Sequence, residues 1–240
     1  MEFPRPTAQR GFTLVEIAIV LVIIGLLLGG VLKGQEMITQ ARIKNVMNDL
    51  NGVSSAFFAY QDRYKQIPGD DNGAAARWTN ATGLASGDGN GQILGAYDAA
   101  PTGAITAANE SNLFWWDLRL AGFIPGATSG AQAYGQPLNA MSGKIGVTTD
   151  GGGTSGANGT AGLAGIIVCS QHLPDKIAGA VDTQMDDGNP GTGTVHGLFE
   201  SGGTPTATGG TLPTSAPTWS STQTNYPETG STNYVVCRQI

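Results

Sequence analysis

The sequence predicts an α+β protein: one long N-terminal helix, apolar and then amphipathic, packed on a globular head with an antiparallel β-sheet and long Gly/Thr-rich loops. Three observations predict it. Residues 12–32, FTLVEIAIVLVIIGLLLGGVL, are an apolar run of 21 whose single ionisable side chain is Glu16. Beyond it, apolar residues recur at alternating steps of 3 and 4 from Ile43 to Tyr64, the period of one helical face. The rest of the chain offers short β-branched runs separated by Gly, Thr, Ser and Pro, the pattern of strands joined by loops.

Taken in order, the apolar run comes first. As a helix it spans roughly 30 Å, about one hydrocarbon core. Arg5 and Arg10 precede it against the single acid Glu2, so the N-terminus stays cytoplasmic and the rest crosses the membrane. A secretory signal cleaved after the apolar run would be shorter and end in a small-x-small site, which LLLGGVLKGQ lacks. The helix then continues, with Ile43, Val46, Leu50, Val53, Phe57, Tyr60 and Tyr64 on one face and Arg42, Lys44, Asp49, Asp62 and Arg63 on the other. It ends before Pro68-Gly69-Asp70-Asp71. From Phe12 to Tyr64 it is roughly 80 Å long, with Gly25, Gly29, Gly30 and Gly34 as weak points.

In the head, Glu110–Gly122 reads as a short helix with Leu113, Trp116 and Leu120 on one side, and at least one of Trp115 and Trp116 in the core. Gly165–Cys169, Thr194–Phe199 and Asn233–Cys237 are strand candidates, and Pro174–Asp186 is a second head helix. The stretches 125–162 and 201–232 read as loops. Composition narrows the function. Only 12% of residues are charged, and residues 66–240 carry five basic against thirteen acidic side chains, a net −8. That balance argues against nucleic acid as a partner.

Gly11-Phe12-Thr13-Leu14-Val15-Glu16, at the end of a short basic leader, resembles the processing signal of type IV prepilins and type II secretion pseudopilins. Ile67–Asp71, Asp88–Ile93, Phe114–Gly122 and Met185–Thr194 are similar to a large-headed prepilin-like group. Lys33 stands where many pilins of the family carry Pro. The resemblance implies a leader 1–11, a transmembrane and polymerisation helix 12–32, an amphipathic half 33–65 and an exported head 66–240. It implies cleavage between Gly11 and Phe12 by a prepilin peptidase that also N-methylates Phe12. Glu16 would then neutralise the freed α-amino group of Phe12 on a neighbouring subunit. The partners implied are identical or related pilin subunits and an inner-membrane assembly platform. The chain would sit in the bacterial inner membrane before assembly and in a periplasmic or extracellular filament after it.

Two further features belong to the exported head. Cys169 and Cys237 lie in an oxidising setting, where a pair forms a disulfide; closing a loop of 68 residues stabilises by roughly 4 kcal/mol in the chain-entropy picture. Ser86–Ile93 resembles the first two-thirds of an EF-hand loop, with oxygens from Ser86, Asp88, Asn90 and the Gln92 carbonyl, and calcium as the cofactor expected there. The closing Glu is absent, so Asp98, Asp70 or Asp71 would have to complete the shell; ordinary Asp-Gly and Asn-Gly turn chemistry is the competing account. Asp186 and Asp187 form a second acidic turn with the same two readings. Gly151–Gly156 matches G-x-G-x-x-G but opens no helix, and no nucleophile stands with a base, so no enzyme is expected. The functions that remain are a structural pilin or pseudopilin subunit and, alternatively, a low-abundance minor pilin or membrane-tethered binding module whose head recognises a ligand, surface or cargo.

Overall fold

The computed structural model describes residues 11, 13–81, 83–100, 106, 109–151, 162–200, 225–227, 229–230 and 232–240. Two compact units follow one another along the chain, Met1–Ala41 and Arg42–Ile240. Helix α1, Leu14–Tyr64, contributes to both. The glycines expected to weaken it, Gly25, Gly29, Gly30 and Gly34, do not interrupt it. In the first unit its apolar side chains from Leu14 to Leu32 are exposed, and the stretch is long and apolar enough to cross a membrane.

In the second unit α1 behaves differently. Ile43, Val46, Leu50, Val53, Ala56, Phe57 and Tyr60 are buried, the stripe that the 3-and-4 spacing predicts, with Tyr64 packed at its end. Phe57 stacks on Phe114 at 6.5 Å, and Tyr60 packs on Tyr64, Trp78 and Phe123. After the turn at 65–73 come α2 (Ala74–Arg77) and α3 (Glu110–Leu120), then a 3₁₀ turn at Ala131–Tyr134.

The sheet is four-stranded and antiparallel, in the order β1-β2-β4-β3, from β1 (Ile145–Gly151), β2 (Ala164–Pro174), β3 (Val195–Phe199) and β4 (Asn233–Gln239). Helix α4, Asp175–Met185, connects β2 to β3. Both faces are covered. Val168, Tyr234 and Val236 join the main core with α1, α3 and α4, while Ile167, Cys169, Val235 and Cys237 alternate onto a second core with Tyr97, Leu163 and Leu198.

Two expectations need correction. The stretch 125–162 is not all loop, because it holds β1 and the 3₁₀ turn. β1 closes on the segment before it: a Cβ on Gly146 would lie 1.8 Å from the Tyr97 carbonyl oxygen, so the approach requires glycine. The second correction concerns α3, which buries every residue from Glu110 to Arg119 rather than one stripe. Leu113 and Trp116 face a satellite core with Ala133, as the spacing indicates, while Phe114, Trp115 and Leu118 face the main one. Most of the loop expected over 201–232 lies outside the described residues.

Candidate functional site

At the start of α1, Gly11 and Thr13 are exposed and non-helical, and Phe12 lies outside the described residues. The Thr13 N–H and hydroxyl both donate to Glu16 Oε2, at 2.8 and 2.9 Å, while the Glu16 N–H donates to Thr13 Oγ1 at 3.3 Å. This is a capping box, which satisfies the orphan donors of the first turn and fixes the helix start at Leu14. Thr-x-x-Glu ahead of an apolar run is the sequence signal for it. Beyond the apolar stretch, Lys33 pairs with Glu36 at 2.8 Å on the exposed surface.

The head is organised around Gly69-Asp70-Asp71. Gly69 has φ +87°, and a Cβ there would meet the Glu110 carbonyl oxygen at 2.5 Å. Asp70 accepts from three successive amides: Gly89 and Asn90 on Oδ1 at 2.6 and 3.0 Å, and Gly91 on Oδ2 at 2.7 Å. Glu110 takes the Asp88 and Leu94 amides at 3.1 and 2.8 Å. Burial raises both carboxyls above the ordinary carboxylate range, against the lowering effect of those N–H donors. Asp71, fully buried, accepts from the Tyr60 hydroxyl at 2.7 Å and the Gly73 amide at 2.8 Å, and forms an ion pair with Arg77. The Arg77 guanidinium in turn lies 4.3 Å from the Tyr64 ring centroid.

Of the residues expected to supply oxygens from Ser86–Ile93, Asp88 joins the carboxylates of Asp70 and Glu110 in a ligand-like set, all within 4.8 Å of one another. Ser86 Oγ accepts from the Ala75 amide, and Asn90 Oδ1 from the Gln92 amide. Asp98 stands elsewhere, accepting from Gln171. Asp70 and Glu110 come from outside the loop, 18 residues before Asp88 and 22 after it, beyond the reach of a local motif. Asp186 and Asp187 form a second set with Asp182. Asp182 accepts from Tyr226 Oη at 2.8 Å and Asp187 from the Thr192 hydroxyl at 2.6 Å, while Asp186 takes the Thr194 and Val195 amides. Burial pushes the Asp182 carboxyl up to about 6.

Cys169 and Cys237 face each other across β2 and β4 and are joined, S–S 2.06 Å.

Residues 6–32 match the family model of the prokaryotic N-terminal methylation motif, the hallmark of type IV pilin and pseudopilin prepilin-type proteins. Neither a curated protein nor a solved structure matches the chain.

Proposed function

We propose that the chain is a filament subunit of a type IV pilus or type II secretion pseudopilus, cleaved between Gly11 and Phe12, N-methylated on Phe12 and assembled through α1. The observation that carries this reading is the helix start. A matched methylation motif runs into a helix capped by Thr13 and Glu16, and the apolar stretch that follows is exposed among the described residues.

Each part has a physical task. Gly11, non-helical and exposed, suits an extended strand in a peptidase cleft. Cleavage creates a cation at Phe12, since an α-amino group is protonated below about pH 8. Glu16 offers the matching anion. Its Oε2 is held by Thr13, and Oε1 has no hydrogen bond among the described residues, which leaves one oxygen for a neighbour's amine. A carboxylate at membrane depth is stabilised by such a pairing, so processing supplies the contact that assembly needs. Before assembly the subunit rests in the inner membrane with residues 66–240 exported.

The same reading includes calcium at the Asp70–Asp88–Glu110 turn. Three carboxylates within 4.8 Å concentrate negative charge that backbone amides only partly offset, and carboxylate oxygens suit that ion. Incorporation of Glu16→Ala beside wild type tests the assembly reading. The variant should remain membrane-inserted yet enter filaments poorly, and normal entry would end the proposal.

A further inference from the structure

Two buried carboxylates lie close together at the seam between α3 and the 67–71 turn, and they are served very differently. Asp71 has a cation, a hydroxyl and an amide. Among the described residues Asp117, 1% exposed, has a single donor: the Gly69 amide, 2.8 Å from Oδ2. Among the same residues its Oδ1 has no hydrogen-bond partner and the side chain no ion pair.

The groups around it come from every element at the seam. α1 contributes Tyr60, whose hydroxyl is spent on Asp71. The turn contributes Asp71, a like charge. α2 contributes Arg77, committed to Asp71 and acting on Asp117 only at a distance. On α3 itself, Arg119 directs its guanidinium to the carbonyls of Gln132, Ala133 and Gly135. One cation therefore serves two buried acids, and the geometry gives it to Asp71. An ionised Asp117 would be a dry anion beside another anion with one amide for support; the neutral acid leaves only one polar atom unmatched.

We propose that Asp117 is a neutral carboxylic acid in the native head, so that the docking of α3 on the Gly69–Asp71 turn is a proton-held latch that weakens as the pH rises. Burial pushes this carboxyl well above the usual range, in keeping with the geometry. The direction follows from linkage. Below about pH 4 the acid is protonated in both folded and unfolded chains. Above that, the unfolded chain ionises while the native head keeps its proton. Stability therefore falls with rising pH until the native group itself ionises.

The test is guanidinium unfolding of the full chain in detergent micelles, followed by tryptophan fluorescence, for wild type and Asp117→Asn from pH 5 to pH 7. Asparagine is isosteric, can still accept from Gly69, and carries no titrating proton. Relative to that variant, the wild-type folding constant should fall about tenfold per pH unit, about 100-fold over the range. A wild-type-to-variant ratio constant within about twofold would overturn the proposal. Should Asp117→Asn fail to fold, the ¹³C shift of the Asp117 carboxyl in the wild-type chain decides: a protonated signal at pH 6.5 supports the latch and an ionised one removes it.

Discussion

The two halves of α1 are equally helical, yet among the described residues one is packed against its own chain and the other is not. From Ile43 to Tyr60 each apolar side chain of the stripe is buried in the head core. From Leu14 to Leu32 the apolar side chains are exposed on every face. The difference teaches where the missing partner must be found. A half-polar helix needs one packed side, which the head supplies; a helix apolar all round needs an apolar surround, which only a bilayer or other copies of the same segment provide.

The comparison is broken most forcefully by matched truncations. Leu50→Ala removes a fully buried side chain and should lower head stability by about 2–5 kcal/mol. Leu21→Ala, in the exposed half, should leave the head within about 0.5 kcal/mol of wild type. Denaturant unfolding of both variants checks this, and equal losses would mean that the two halves are not energetically separate.

Next in size is the disulfide. Reducing Cys169–Cys237 should lower head stability by about 2–4 kcal/mol while leaving membrane insertion through residues 14–32 unchanged. Thiol-dependent insertion would contradict the division of labour between the halves.

How much of this was legible follows the range of the interactions. The α1 stripe, the 3-and-4 spacing of Leu113, Trp116 and Leu120, and the β4 alternation are local periodicities, readable one turn or one pleat at a time. β1 was not readable. Ile145-Gly146-Val147-Thr148-Thr149 is short, is set among glycines and threonines, and is placed by its pairing with β2, with Tyr97 lying close against Gly146. The burial of Glu110, Asp117 and Arg119 was equally hidden, because charged residues read as a solvated face unless their partners are known. Those partners lie at Asp88, Gly69 and Ala133, 22, 48 and 14 residues away. The 86–93 turn shows both sides of this limit: its Asx-type local bonds and the approach of Asp70 are among the sequence expectations, and its anchoring by Glu110 is not.

At the helix start the comparison can be sharpened by separating charge from cap. Glu16→Gln keeps an acceptor for Thr13 but loses the charge, while Thr13→Val keeps the charge and loses the hydroxyl. Loss of the cap should cost about 1 kcal/mol of helix-start stability, read as faster amide exchange at Glu16 and Ile17. Filament entry should fall about tenfold or more for Glu16→Gln, as for Glu16→Ala. Wild-type entry by the glutamine variant would reduce Glu16 to its capping role.

Calcium acts within the head alone. At ten times its dissociation constant the ion should stabilise the head by about 1.4 kcal/mol. Thermal melting of the full chain in micelles, with calcium or chelator and beside Asp88→Ala, reads it. Three coincident melts would leave the Asp70–Asp88–Glu110 turn as turn chemistry alone.

N-terminal mass spectrometry of the membrane-extracted protein tests most directly whether the helix start is a processed, polymerising end. In cells with an active prepilin peptidase, the chain should begin at N-methylated Phe12, with residues 1–11 removed. A chain that still begins at Met1 in those cells would contradict it.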